Sequence, residues 1–473
     1  DFKHFDARSL RMLKAIDAHT KRLCIALPYE ADKPWIYQVT HETLGLLADT
    51  FGPVEVIEIK TPETPIRRLA QNLHAIEPET VNAPFRVFAA EDPYEEVEFI
   101  GLDILQKLRH DETLSLEDIR IIAADLDNYE FTVKSVFSQL GLPVFSDDRK
   151  SIVQNRVVKS ILALMNVYLD GYRREDVISF LKGYLSEEAW DDLDVFENYL
   201  IETGVNQKRF REPLADEDME AMRLKFLDQL IKSEPYFKQR HTIGEYCDGL
   251  RELFVMLRYP ERIEQAVKIH EQRLETEEML IITQVWNILI EALAQLKKVA
   301  GDKKIGFRQF KGYFDSAIKD LNVGIIPPVE GRITLATLHR STHAPCRVMY
   351  FCGMAEGVVP RDYLDTGLLK HQEKYRIKDF GYRYFDTPEF NENLDILDQF
   401  IALSLVEDEL VFSYAGGNYT SETMTPSLYI NRAIGLTGAT IERGLQHHYQ
   451  EHPDTAFRYA VEAIREGRRE RIH

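Results

Sequence analysis

Ile333-Thr334-Leu335-Ala336-Thr337-Leu338-His339-Arg340, then Arg347 to Cys352, then Gly353-Met354-Ala355-Glu356-Gly357-Val358-Val359-Pro360, is the stretch that decides how this chain folds. The first two runs have strand character, with Thr337 and His339 alternating on the first, and the glycines and proline close the second in a turn. Strand character also marks Leu410 to Tyr414. Upstream, Pro327-Pro328 interrupts a different regime. From Val157 to about Lys298 the period is helical, with Val157, Ile161, Leu164, Met165 and Tyr168 on one face and a long pattern from Glu261 to Lys298. Before that block come an apolar run at Phe85–Ala90, an amphipathic helix from Glu95 to Arg109, a buried strand at Ile119–Ala124, and a helix and strand ending at Phe145. An all-helical block therefore interrupts an α/β domain. The first 59 residues read as α/β as well, with the run Arg22–Leu27 ended by Pro28 and an alternating strand at Val54–Ile59; Pro62, Pro65, Pro78 and Pro84 then mark a boundary.

The chain has 473 residues, of which 44% are hydrophobic, too many for a single core and suited to two to four domains. A formal net charge of −20 excludes a protein that coats nucleic acid over its whole surface, so any such contact must sit on a local patch. Cys24, Cys247, Cys346 and Cys352 have no paired spacing for a zinc ribbon or an iron–sulfur site, and a reducing cytoplasm is the expected compartment. With no run of about 18 apolar residues and no secretory layout at the N-terminus, neither a membrane protein nor an exported one is expected. The opening at Asp1 and the end within the arginine-rich Arg465–Arg471 read as a piece of a longer polypeptide.

Several ordered blocks resemble superfamily 1 DNA helicases. The T-x-H of Thr337 and His339 and the G-x-x-E-G-x-x-P of Gly353, Glu356, Gly357 and Pro360 are similar to their fifth-motif region. Glu96-Val97-Glu98, Asp118 to Tyr129 and Gly141 to Asp148 resemble their fourth motif, and Asn155 to Leu185 the start of their inserted helical domain. Glu197-Asn198-Tyr199 with Gly204, and Tyr414 to Leu428 with Thr425-Pro426-Ser427, resemble one branch, the AddB/RexB components of the AddAB/RexAB helicase-nucleases, with RecC more distant.

The resemblance implies a RecA-like parallel sheet, the second motor domain, split by a helical domain. It implies the end of a first motor region at 1–84, the two halves of the second motor domain at 85–150 and 326–430, a helical insertion at 151–325, and a helical linker towards a nuclease domain at 431–473. It also implies a parent that processes double-strand DNA ends for recombinational repair, with single-stranded DNA and an AddA/RexA-type helicase-nuclease as partners. Mg²⁺, ATP and an iron–sulfur cluster would be bound elsewhere in that parent, and no cofactor is expected in this segment.

A phosphoryl-transfer motor needs a phosphate loop, carboxylates for Mg²⁺ and arginines for the developing charge. No G-x-x-x-x-G-K-[ST] occurs in this sequence. Where the resemblance places motor arginines, the chain has Ala124 and Leu405, and the family's A-K-G-L-E is replaced by Ser341-Thr342-His343-Ala344-Pro345. The expectation is a motor-inactive strand guide in which Thr337, His339 and Arg340 contact phosphates and Gly353, Glu356, Gly357 and Pro360 shape the turn. Two alternatives stay open: a working motor with relocated arginines, and a purely protein-binding scaffold. Arg173, Arg174, Arg465, Arg468, Arg469 and Arg471 suit solvated helix faces as well as phosphate contacts. His447, His448 and His452 are expected to be surface histidines rather than metal ligands, and Asp191, Asp192, Asp194 and Glu197 a solvated edge.

Overall fold

A computed structural model describes residues 2–57, 59, 62–146, 150–184, 190–273, 276–324, 331–340, 344–363, 369–379, 387–420, 422–445 and 448–465. The chain divides into two compact units, Asp1–Asp147 with Pro327–His473, and Asp148–Ile326. Its strands are β1 (Phe85–Ala90), β2 (Ile119–Ala123), β3 (Val144–Ser146), β4 (Lys150–Ser151), β5 (His241–Thr242), β6 (Lys304–Ile305), β7 (Asn322–Val323), β8 (Ile333–Ala336), β9 (Cys346–Cys352), β10 (Val406–Ala415) and β11 (Ile441–Arg443).

In the first unit seven strands form one sheet in the order β11-β1-β10-β9-β2-β8-β3, and every pairing is parallel. Parallel strands need helical crossovers, so both faces of such a sheet are covered and its central strands are apolar throughout. The side chains divide accordingly. Val87, Ile122, Met349, Phe351, Leu410 and Phe412 enter a core shared with the helices Pro34–Phe51, Pro65–His74, Pro388–Ser404 and Leu428–Thr437. Phe88, Ile121, Tyr350, Cys352 and Val411 enter the opposite core, with the helices Pro93–His110 and Leu126–Gln139. There Phe88 stacks on Phe99 with ring centroids 3.7 Å apart. This α/β arrangement is consistent with a RecA-like fold.

One polar string crosses the second core. The Tyr350 hydroxyl donates to Asp103 at 2.6 Å, and Arg86 donates to Asp103 and to Glu442, each at 2.8 Å. It ties β9, β1 and β11 to the helix Pro93–His110, and leaves the buried Asp103 carboxylate fully paired.

Three expectations differ from the structure. Neither Arg22–Leu27 nor the described part of Val54–Ile59 forms a strand: Val56, Ile57 and Ile59 are exposed, and no neighbouring strand among the described residues accepts them. An alternating run without a partner has nothing to satisfy its backbone in a sheet. Residues 441–443, in a segment expected to be helical, add the edge strand β11, which is too short for its period to register. The long pattern from Glu261 to Lys298 is two helices, Tyr259–Gln272 and Thr276–Ala300, with Tyr259 stacked on Trp286 at 5.9 Å.

The second unit is almost all helix, with two short antiparallel pairs, β4 with β7 and β5 with β6. Its core joins Tyr168, stacked on Phe237 at 4.7 Å, to Tyr246, Phe307 and Phe310. By length and composition alone Glu278–Ala300 is apolar enough to cross a membrane, although Thr283, Gln284, Asn287 and Glu291 break its apolar run. Its Val285, Leu289 and Leu293 nevertheless lie in the core of this unit, while Lys297 pairs with Asp248 at 2.7 Å.

Truncating Phe88 removes a stacked ring from a close-packed interior. Phe88→Ala is expected to cost about 3–5 kcal/mol in urea unfolding of the first unit. A loss below about 1 kcal/mol would show that the Phe88–Phe99 contact is dispensable.

Candidate functional site

The carboxyl ends of β1, β10, β9, β2 and β8 lie at one edge of the sheet, where parallel α/β sheets bind their ligands. At its centre is Glu96, in the first turn of the helix Pro93–His110 and fully buried. Its Oε1 accepts the Gly353 N–H at 2.8 Å and the Ser413 hydroxyl at 2.7 Å, and its Oε2 accepts the Tyr129 hydroxyl at 2.6 Å. Burial pushes the Glu96 carboxyl up, and the three donors oppose that shift. Gly353 has φ 70°, and a Cβ there would stand 3.0 Å from the Tyr129 ring. Glycine is therefore required both by the backbone and by the space.

The turn beyond Gly353 is held by the segment around Thr425-Pro426-Ser427. The Glu356 N–H donates to the Thr425 carbonyl at 2.9 Å, and the Thr425 hydroxyl donates to Glu356 Oε2 at 2.7 Å. The Ser427 N–H reaches the Met354 carbonyl at 2.9 Å, and its hydroxyl reaches the Val359 carbonyl. Gly357 has φ 77°, and the Val359–Pro360 bond is cis. Two segments singled out separately in the sequence thus form one structure. Glu356 acts here as an internal brace.

The other site residues follow β8. That strand stops at Ala336, so Thr337 lies past its end and Leu338–Arg340 is a 3₁₀ turn rather than the expected strand. The Arg340 N–H donates to the Thr337 carbonyl at 3.1 Å, a local turn bond that replaces sheet pairing. His339 Nδ1 pairs with Asp398, and Nε2 lies 3.5 Å from Asp395. Asp398, 1% exposed, also pairs with Lys3, and Asp395 accepts the Tyr363 hydroxyl at 2.6 Å. Tyr363 is three residues past Pro360, so the chain leaving the turn reaches the His339 cluster. The hydrogen bond that Asp398 accepts raises the imidazole above its ordinary value of 6.5, against burial and with help from the charges of Asp398 and Asp395.

Asp395, Asp398, Tyr363 and Lys3 were not singled out in the sequence. Two carboxylates three residues apart in the helix Pro388–Ser404 were the available signal. Glu96 was quotable as part of a motif, and its place between Pro93 and Ile100 on an apolar helix face marked it as buried.

Ala124 is buried beyond the end of β2, and its N–H donates to the Cys352 carbonyl at 3.0 Å. Leu405 caps the helix Pro388–Ser404 just before β10. Of the replaced fifth-motif residues, Ser341 to His343 lie outside the described residues, and the Ala344 carbonyl accepts from Arg120 at 2.7 Å. His447 and Arg468, Arg469 and Arg471 also lie outside them. His448 is buried edge-on against Phe99 at 5.2 Å instead of lying on the surface, and His452 Nδ1 accepts the Asp454 N–H at 3.3 Å. A short 3₁₀ turn separates these two histidines, so they do not share one helix face. Among the described residues no three His, Cys, Asp or Glu side chains converge as a metal site, and all four cysteines are free thiols.

This chain is similar to curated proteins that share one description, the B component of an ATP-dependent helicase/deoxyribonuclease. It is 24% identical to that protein of Alkaliphilus oremlandii, over 98% of this chain and 45% of the relative. The Alkaliphilus metalliredigens counterpart is 23% identical with the same coverage, and that of Clostridium acetobutylicum 24% identical over 76% of this chain and 33% of its own length. The chain is a homologue of these proteins, of the AddB type. It spans less than half the length of these relatives. No family model matches this chain.

Glu96→Ala would leave three donors without an acceptor in the interior and is expected to cost about 3–5 kcal/mol. Glu96→Gln keeps an acceptor for Gly353 and Ser413 and should cost under half as much; equal losses in urea melts would sink this account. The His339 cluster has its own pH signature. Its stabilisation is fully present below pH 6.5 and is lost as pH rises through the raised imidazole value of the folded state. Wild-type stability should therefore fall from about pH 6 to alkaline pH more steeply than that of His339→Gln, and parallel profiles would contradict it.

Proposed function

We propose that this chain is the helicase-like, motor-inactive central part of an AddB-type protein, a superfamily 1-like second motor domain whose helical unit is its insertion. It guides single-stranded DNA along the carboxyl edge of the sheet and assembles with an AddA-type helicase-nuclease. The relatives' names describe a component of an ATP-dependent helicase/deoxyribonuclease; processing of double-strand DNA ends for recombinational repair, in the cytoplasm, is the role this proposal gives the parent. ATP, Mg²⁺ and an iron–sulfur cluster belong to other parts of that parent. The described residues offer neither a phosphate loop nor a cysteine cluster to hold them.

One observation supports this reading above the others. The turn from Gly353 to Pro360 is rigidly built through Glu96 and Ser427, while the positions that would serve the nucleotide are the apolar Ala124 and Leu405. Thr337 and Arg340 are the phosphate contacts in this proposal. His339, with a carboxylate beside each ring nitrogen, serves by fixing the turn that presents them. A strand guide needs fixed geometry and no reaction, and this edge supplies it.

A working motor is favoured by one feature, the Arg361 guanidinium 3.5 Å from the Ala124 carbonyl. In the full-length protein, DNA-stimulated ATP hydrolysis is expected to be unaffected by Arg361→Ala. A fall of about 10³-fold or more would establish a relocated motor arginine. For the chain itself, Arg340→Ala should weaken binding of a labelled single-stranded oligonucleotide about 10-fold or more in fluorescence anisotropy, as loss of one charged hydrogen bond implies. Absence of salt-sensitive binding, both by the chain and by its complex with an AddA-type partner, would leave only the protein scaffold.

A further inference from the structure

Three loops at the carboxyl edge of the sheet are built into one another. Residues 91–95 follow β1, residues 124–128 follow β2, and residues 416–423 follow β10. The Gly416 and Gly417 N–H groups donate to the Ala90 and Glu91 carbonyls at 2.9 and 3.0 Å, which locks the third loop to the first. That loop folds back on itself, with the Asn418 N–H on the Glu422 carbonyl at 3.0 Å and the Met424 N–H on the Gly416 carbonyl at 2.8 Å. Its tip carries Tyr419 across to the helix Leu126–Gln139. There the Tyr419 hydroxyl shares a hydrogen bond with that of Thr132 at 2.8 Å, and its ring stands edge-on to Tyr129 at 6.2 Å. A tyrosine 50% open to solvent is thus held in one position.

The surface around that ring is apolar and anionic together. Phe131, one residue from Thr132, is 81% exposed, and Tyr94 is exposed at the start of the helix Pro93–His110. The three loops contain no basic residue but carry Glu91, Asp92, Glu95, Asp125, Asp127 and Glu422, and none of these six has an ion pair among the described residues. Asp127 and Phe131, four residues apart, share one helix face. Burial raises the Glu95 carboxyl, and the charges of Glu91, Asp92 and Glu98 push the same way, against the bond it accepts from the Glu91 N–H at 2.6 Å. Compensating groups are few. Lys134 is engaged by Glu130 at 2.9 Å and Arg458 by Glu98, while Arg361 is offset by Glu356 and Asp362 in its own turn. Arg443 remains, exposed opposite Ala89, and the two helix ends capped by Asp92 and Asp125 each supply roughly half a positive charge. About four negative charges therefore stay uncompensated on this edge.

We propose that this edge docks an arginine-bearing segment of a partner protein. The carboxylates are spread over three loops with aromatic faces among them, and no three converge as a metal site among the described residues, so they fit several cations carried on a chain better than one ion. Guanidinium groups meet both features. They form paired hydrogen bonds to carboxylates and stack on aromatic rings, whereas an ammonium group is a compact point charge that keeps its water. Exposed aromatic residues with a charged rim are what protein interfaces present, and a tyrosine fixed in advance lowers the ordering cost of binding. The same carboxylates repel phosphate, which leaves a DNA strand the β8 end, where Thr337 and Arg340 lie. The surface does not depend on the strand-guide reading, because it uses none of that site's phosphate contacts.

The test uses the 473-residue chain and a fluorescein-labelled peptide of alternating arginine and glycine, read by anisotropy. Glu91→Gln, Asp127→Asn and Glu422→Gln combined leave both helix caps in place and should weaken binding about 10-fold. Phe131→Ala with Tyr419→Ala leaves the charge unchanged and should weaken it about 5-fold or more, while Tyr419→Phe alone should keep most of the affinity. A peptide of alternating lysine and glycine, of equal charge, should bind less tightly than the arginine peptide. Unchanged affinity in either combined variant overturns the proposal, as does equal binding of the two peptides. A loss on Tyr419→Phe as large as that of the alanine pair would trace the effect to a damaged loop and overturn it too. A labelled single-stranded oligonucleotide should bind the neutralised variant at least as well as the wild type; weaker binding would assign the edge to nucleic acid and sink the proposal. Arg340→Ala should leave peptide binding unchanged, so this surface and the strand guide fail separately.

Discussion

A carboxylate sealed inside a protein is tolerated only when donors surround it, and the architecture at the carboxyl edge of the sheet follows from meeting that demand at Glu96. Its three donors come from three different elements: the backbone just past β9, Ser413 on β10 and Tyr129 on the helix Leu126–Gln139. Supplying the Gly353 N–H fixes where the chain turns after β9. Close approach of the Tyr129 ring then leaves no room for a side chain at residue 353. The first turn of one helix thus sets the path of a segment 257 residues away in sequence.

From that turn the constraint passes outward in two directions. Thr425 and Ser427 clasp its far side, so the stretch after β10 is fixed by the stretch after β9. Tyr363 carries it to Asp395 and so to the cluster in which His339 and Lys3 balance two carboxylates of the helix Pro388–Ser404. The ends of β8, β9 and β10 are thereby coupled through polar groups with one satisfactory arrangement.

Charge is distributed with similar economy. The sheet unit is strongly acidic, and near β8 its carboxylates are engaged by His339 and Lys3 rather than facing solvent alone. The helical unit, with 27 basic and 31 acidic residues, is nearly neutral. A net charge of −20 therefore conceals two different electrostatic surfaces.

Much of the sheet was legible in the chain. β1, β2, β8, β9 and β10 stand where apolar runs predicted them, because strands buried on both faces must be apolar throughout. The Gly353–Pro360 turn was equally visible, since glycine and proline are local constraints on φ. By itself the sequence determined those elements, the helical character of the second unit, and the absence of arginine at residues 124 and 405. Tertiary structure alone decided that Val54–Ile59 finds no partner strand among the described residues, that β11 joins the edge, that His339 sits between two aspartates, and that Glu96 binds the Gly353 turn. Each of these depends on which residues distant in sequence become neighbours, and neither periodicity nor spacing encodes that.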